Sequence, residues 1–257
     1  MIDHRAATRV DLGGIQCDLV TLDDIDREFD DALAGGRAPL WLASANLDKV
    51  THFSGDTEGA FAGGSANWII TIDGMPMAAM ARRLTGTSGP RLTGADLLPH
   101  LLERAAGRGA TVAVLGGDAT THAEFAAFLA RSWPAVTLGA SLVPTVEEST
   151  DPTWCAEAAE KLETADIDIL ILALSGGRME RWADRWAAAS GCRTVLCYGA
   201  AIDFLVGRQQ RAPQIVQRLG LEWLWRLVGE PRRLARRYLV DGPRAGLALL
   251  RHSSIIG

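Results

Sequence analysis

The sequence predicts an α/β fold: a Rossmann-like, mostly parallel sheet flanked by helices, with a basic helical C-terminal appendage. Three observations predict it. From residue 39 to residue 199, short apolar runs alternate with helix-length amphipathic segments, the pattern of parallel strands joined by crossover helices. One of those runs, TVAVLGG at 111–117, passes into a glycine turn and then a helix, a unit that suits nucleotide binding. Beyond residue 203 the composition changes. The last 54 residues hold ten arginines against three acids (Glu222, Glu230 and Asp241), a formal balance of +7, whereas the first 203 residues carry −12. The chain is therefore divided into an α/β unit, 1–203, and an Arg-rich helical appendage, 204–257.

Composition bounds the rest. A chain of 257 residues can bury a good core as one large domain or two small ones. Apolar content of 48% with 22% charge is that of a soluble globular protein. No run of eighteen apolar residues exists, so no transmembrane helix is expected and any membrane contact is peripheral. The first fourteen residues contain no apolar signal segment. Cys17, Cys155, Cys192 and Cys197 form no Cys-x-x-Cys or Cys/His metal spacing and read as reduced, mostly buried thiols of a cytosolic protein.

In chain order, residues 10–20 read as a strand or hairpin and Leu22–Leu33 as an acidic helix ended by Gly35-Gly36. A strand at 39–44 and a helix at 47–53 follow. The β-branched run Trp68–Ile72 is a strand ending in Asp73-Gly74. A turn at Thr93-Gly94 opens an amphipathic helix to Ala106. After the strand at 111–117 come a helix over 121–131 and a short strand at 136–140. A helix is predicted over 146–164 and a long buried strand over 166–174. SGGRMERW opens a helix to about Ala189, and 194–199 is the last strand of the α/β alternation.

Asp73 is the best single catalytic candidate. A carboxylate at the C-terminal edge of an open sheet sits where ligand crevices form and can act as a general base, although a turn-forming Asp before Gly is common. Asp166 and Asp168 imitate an Asp-x-Asp metal motif but fall at the start of a strand, the wrong end for a crevice. The histidines (4, 52, 100, 122 and 252) are scattered and support no hydrolase triad. In the tail, Arg226, Arg232, Arg233, Arg236 and Arg237 fall within twelve residues among Trp, Leu and Tyr. Arginine matches phosphate oxygens with a planar fork of donors, so a diphosphate, an anionic lipid surface or nucleic acid would fit, as would a merely solvated basic face.

Six ordered segments carry a resemblance: SAN at 44–46, IDGMP at 72–76, RLTGADL at 91–97, VLGG at 114–117, YGAAIDFLVGRQQRAP at 198–213 and GLEWLWRLVGEPRRLARRYL at 220–239. With them the chain resembles the WecG/TagA/CpsF family of bacterial glycosyltransferases, glycosyltransferase family 26, from about residue 10 to residue 240. The resemblance implies an inverting glycosyltransferase that moves a sugar from a UDP-sugar to a polyprenyl-diphosphate-linked saccharide in cell-surface polysaccharide synthesis. It implies no metal and no other cofactor, and a cytoplasmic enzyme held peripherally at the inner face of the membrane. Asp73 matches the family's proposed base, and Ser44 and Asn46 line the same pocket. Arg91, Gly116, Gly117, Arg178, Glu180, Asp203 and Arg211 are carried over as substrate-binding positions. Among the tail arginines Arg226, Arg233 and Arg236 are carried over, with Arg232 and Arg237 as substitutes.

One segment departs from the family pattern. Where Gly-x-Pro-Lys-Gln-Glu-x-Trp is usual, this chain has Ser175-Gly176-Gly177-Arg178-Met179-Glu180-Arg181-Trp182. Met179 cannot make the two-sided hydrogen bonds of the amide it replaces, which points to altered donor recognition or weakened activity. A non-catalytic relative that binds a nucleotide-sugar or lipid diphosphate as a scaffold is the main alternative. Nucleic acid is not an expected partner, given the overall acidity and the lack of a recognised module. The Trp and Leu of the tail also allow packing against a second subunit.

Overall fold

The computed structural model describes residues 8–54, 67–87, 89, 91–213, 215–216 and 220–256. Its centre is a six-stranded sheet built from β3 (Leu40–Ala45), β4 (Asn67–Ile72), β5 (Thr111–Gly116), β6 (Thr137–Leu142), β7 (Ile169–Ala173) and β8 (Thr194–Leu196). The strands lie in the order β4-β3-β8-β7-β5-β6, and every neighbouring pair is parallel. Parallel strands need crossovers, and the helices that supply them cover both faces. One face packs against α1 (Leu22–Leu33), α4 (Gly94–Ala106), α5 (Ala119–Ser132) and α8 (Ala200–Leu205). The other meets α2 (Leu47–Phe53), α3 (Met75–Thr85), α6 (Pro152–Thr164) and α7 (Arg178–Trp186). The predicted fold class is the observed one.

Local chemistry sets the boundaries. The Thr21 side chain accepts from Asp24 N while Asp24 returns a bond to the Thr21 backbone, a capping box that starts α1 where the sequence predicts it. Asn46 caps α2, and Thr93 caps α4 by accepting from Asp96 N. The predicted helix over 146–164 is shorter than expected. Asp151 caps it by accepting from Thr153 N, and Pro152 occupies its first position, so α6 begins at Pro152 behind a short 3-10 turn, Glu148–Thr150. The predicted strand over 166–174 likewise begins only at Ile169. Asp166 sits in the left-handed region at φ 50°, and Asp168 spends its carboxylate on Thr111 N at 2.9 Å. Both acids lie at the sheet edge opposite the cleft, and Asp168 also pairs with Arg193 at 3.3 Å.

Besides α8, two elements have no counterpart in the sequence reading. Helix α3 follows Asp73-Gly74 at once, because Gly74 at φ 86° turns the chain and Pro76 suits the first helical turn. The second is β9 (Ser253–Ile256), which pairs antiparallel with β1 (Arg9–Leu12) in the register Arg9↔Ile256 to Leu12↔Ser253. With β2 (Gln16–Asp18) they make a separate three-stranded sheet, β2-β1-β9. The end of the chain thus completes the sheet of its beginning.

The tail before β9 consists of the helices Glu222–Gly229, Pro231–Arg236 and Gly242–Arg251, with a π-helical stretch at Arg237–Asp241. Helix Gly242–Arg251 packs beside α2. There Gly13, at φ 68°, lies so near both that a methyl group would meet Val50 Cγ1 at 3.0 Å and Leu249 Cα at 3.3 Å. The four cysteines are all free and buried.

Candidate active site

The connections after β5 and β7 run in opposite directions, to β6 and to β8, and a crevice opens beyond the carboxyl ends where they diverge. The tail forms its far wall. Two adjoining chambers result. One, of about 340 Å³, is lined by Ser44, Gly116, Gly117, Ser175, Met179 and Cys197 among others. The second, of about 300 Å³, is mostly apolar, with Leu47, Met75, Pro76, Trp223, Tyr238 and Pro243. Both are lined by Asn46, Asp48, Asp73, Glu222, Arg226 and Arg237, which therefore stand where the chambers meet.

Asp73 is fixed from both sides. Its N–H continues the ladder beyond β4 by donating to Ala45 O at 2.8 Å. The Asn46 side-chain oxygen caps α2 by accepting from Lys49 N at 3.2 Å, which leaves its NH₂ to donate to the Asp73 carboxylate. Burial pushes the Asp73 carboxyl above the usual carboxylate range, and the charge of Glu222 pushes the same way. Arg91, the Asn46 amide and Arg226 pull it back. Two neighbours in the glycine-lined chamber are held neutral. Burial raises the Cys197 thiol, with Glu180 adding to it, and burial likewise raises the Tyr198 phenol. Neither is an anionic nucleophile at neutral pH.

Glycines bring the strand ends close together. A methyl group on Gly199 would lie 2.1 Å from Ala173 Cα, and one on Gly116 would lie 2.6 Å from Ala173 C. Gly116 is also at φ 102°. The glycine turn after β5 does line the chamber, but the start of α5 is already occupied: Asp118 accepts from Thr121 N at 2.9 Å. The cationic side chains that line the chambers are Lys49, Arg91, Arg226 and Arg237. Buried His122 braces this turn. Because a carbonyl only accepts, its Nε2–H donates to Gly116 O (2.6 Å), and Nδ1 accepts from the Ser141 hydroxyl.

Residues 10–255 match the glycosyl transferase WecG/TagA/CpsF family. The chain belongs to this family. It is a family of glycosyltransferases with a role in polysaccharide biosynthesis, and it implies a nucleotide-sugar donor and a lipid-linked acceptor as the kinds of partner.

The WecG/TagA/CpsF motifs can now be placed. Ser44, Asn46, Asp73, Arg91, Gly116, Gly117, Asp203 and Arg226 all line the chambers. Four other predicted positions do not. Arg178 is turned onto Ser175 O (2.9 Å), Ser175 Oγ (2.9 Å) and Ser149 Oγ (2.6 Å), bracing the loop before α7. Glu180 is 0% exposed and pairs with Lys49 beneath the chamber floor. Arg211 pairs with Asp96, so the RAP segment locks onto the RLTGADL segment. Within that segment Gly94 is tight against the Tyr198 ring, where a methyl group would lie 2.6 Å from Cδ1.

Arg236 is 86% exposed and reaches Asp241 at 3.8 Å, outside the chambers, whereas Arg237, one residue on, faces both and pairs with Asp48 at 3.1 Å. The π-helical widening at Arg237–Asp241 changes the angular step there, a register the arginine spacing does not reveal. The side chain of Arg233 lies outside the described residues. Sequence reasoning missed Asp48, Lys49 and Glu222 as wall residues. Glu222 stood inside the most specific motif, and Asp48 and Lys49 follow Asn46 on its own helix. Met179, the departure from the family pattern, lines the glycine-rich chamber.

The Lys49–Glu180 pair gives a direct stability test. Lys49→Met leaves an unpaired carboxylate in the interior, with an expected loss of about 3–5 kcal/mol, read by urea denaturation. The double change Lys49→Met/Glu180→Leu should recover most of that loss.

Proposed function

We propose that the protein is an inverting, metal-independent glycosyltransferase that moves a sugar from a UDP-sugar to a polyprenyl-diphosphate-linked saccharide, with Asp73 as the general base. The observation that carries this reading is the position of Asp73 in a wall shared by two chambers of different chemistry. We assign the glycine-lined chamber, with Ser44 and Met179, to the donor. We assign the apolar chamber, with Trp223 and Tyr238, to the acceptor.

In the proposed step Asp73 takes the proton of an acceptor hydroxyl as its oxygen bonds to the anomeric carbon. The bond from that carbon to the UDP oxygen breaks on the opposite face, and UDP leaves with the electron pair. Inversion needs this one base. Charge growing on the leaving diphosphate needs preorganised donors; we assign this role to Arg226, with Arg91 and Arg237, which line the chambers. The buried Arg226 Nε has no hydrogen-bond partner among the described residues.

The appendage, 204–257, acts in this reading as the cover of the site and its membrane contact. No described helix is long and apolar enough to cross a membrane. The tail does expose Trp223, Leu224, Trp225, Val228, Leu239 and Val240 beside exposed Arg232 and Arg236, the composition of a surface that settles on anionic lipid.

Calorimetric titration with UDP, with and without EDTA, tests the donor half. Binding unchanged by EDTA is expected. Binding abolished by EDTA would contradict metal independence, and no binding in either condition would contradict the donor assignment.

A further inference from the structure

Most of the described cations around the cleft are matched to acids. Lys49 pairs with Glu180, Arg237 with Asp48, and Arg211 with Asp96. Arg91 lies 3.5 Å from Glu222. Arg226 lies over the Phe204 ring, 5.9 Å from its centroid. Asp73 accepts from the Asn46 amide, and the charged groups acting on it are Glu222, Arg91 and Arg226, with Arg211 and Tyr198 also in range.

Glu222 differs from the other acids in its origin. Asp48, Asp96 and Glu180 belong to the α/β core, whereas Glu222 is the first residue of a tail helix. It reaches the junction of the two chambers only because that helix is docked. We propose that Glu222 is a positioning residue that couples docking of the tail to catalysis, by engaging Arg91 so that Arg91 does not pair with Asp73. This rests on the reading of Asp73 as the base.

The physical argument is competition for one guanidinium. Arg91 acts through space on Asp73 and on Asp96 as well as contacting Glu222. A carboxylate ion-paired to arginine holds its proton weakly and is a poor base. With Glu222 in place, Arg91 is shared, and the Glu222 charge itself raises the proton affinity of Asp73. With the tail undocked, Arg226 leaves along with Glu222, on the same helix, and Arg91 becomes free to pair with Asp73. The base is then weakened while the site is open to water. Docking restores the base and covers the site in one movement, which limits loss of activated sugar to hydrolysis.

The test is carboxyl ¹³C NMR titration of Asp73 in the full-length protein, with the resonance assigned by its loss in Asp73→Asn. In Glu222→Gln the midpoint should fall by on the order of one pH unit. In Glu222→Asp, which keeps the charge, it should stay close to wild type. Turnover against pH should follow, with the acid limb of Glu222→Gln displaced downward and its plateau lowered several-fold. A midpoint unmoved in Glu222→Gln, or moved equally by both substitutions, overturns the coupling. If the midpoint moves as expected but Asp73→Asn still turns over, it is the assignment of the base that fails.

Discussion

Asp73→Asn should lower turnover by about 10²–10⁴-fold while leaving UDP-sugar affinity within a few fold. Asn keeps the shape and the strand-end hydrogen bond of its N–H to Ala45, so the chambers persist and only proton acceptance is lost. Stability should move in the opposite direction. The folded protein raises the Asp73 carboxyl above its unfolded value, chiefly through burial. Its contribution to stability is therefore fully present below the unfolded value and is lost as pH rises through the folded one. At neutral pH the ionised form is a cost that Asn does not carry. The variant should melt at a higher temperature than wild type near pH 7, with the gap closing in acid. Scanning calorimetry at several pH values together with the turnover assay checks both halves. Unchanged turnover would remove Asp73 as the base.

Arg226→Ala should cost about 10²–10³-fold in turnover and also weaken UDP binding. Arg226 is the tail arginine that lines both chambers and an adjoining cavity beside Asp203 and Trp225. Arg226→Lys should recover little, because a point charge cannot reproduce the fork over the Phe204 ring. Arg236→Ala, by contrast, should leave turnover on a water-soluble acceptor near wild type, since its side chain points away from the cleft. If all three behave alike, the tail acts by general electrostatics and not through placed donors. Point changes test this more cleanly than cutting the chain near Leu219, itself outside the described residues. Such a cut also strips β9 from β1 and uncovers buried Val10 and Leu12.

Much of this architecture was legible in the residues because the signals were local. The Thr21–Asp24 capping box, the Asn46 cap and the β-branched run into Asp73 each carry their own start or stop, and the elements fall where the sequence put them. What escaped depended on distant parts of the chain. β9 is a four-residue strand whose reason is β1, some 240 positions earlier. Arg178, Glu180 and Arg211 belong to recognisable motifs yet serve Ser149, Lys49 and Asp96, partners that no spacing reveals. The choice between Arg236 and Arg237 turned on a π-helical stretch that a regular helical period cannot anticipate. The motif level thus marked the neighbourhood of the site, while the folded chain sorted cleft residues from those that brace them.

The most direct measurement is sugar transfer itself, followed with radiolabelled UDP-glucose, UDP-galactose, UDP-N-acetylmannosamine and UDP-N-acetylmannosaminuronic acid onto short-chain prenyl-diphosphate saccharides, with EDTA present and Asp73→Asn alongside. The account predicts transfer from one of these donors, undiminished by EDTA and lost in the variant. UDP binding without transfer from any donor would favour a scaffold, and transfer that survives in Asp73→Asn would contradict the mechanism.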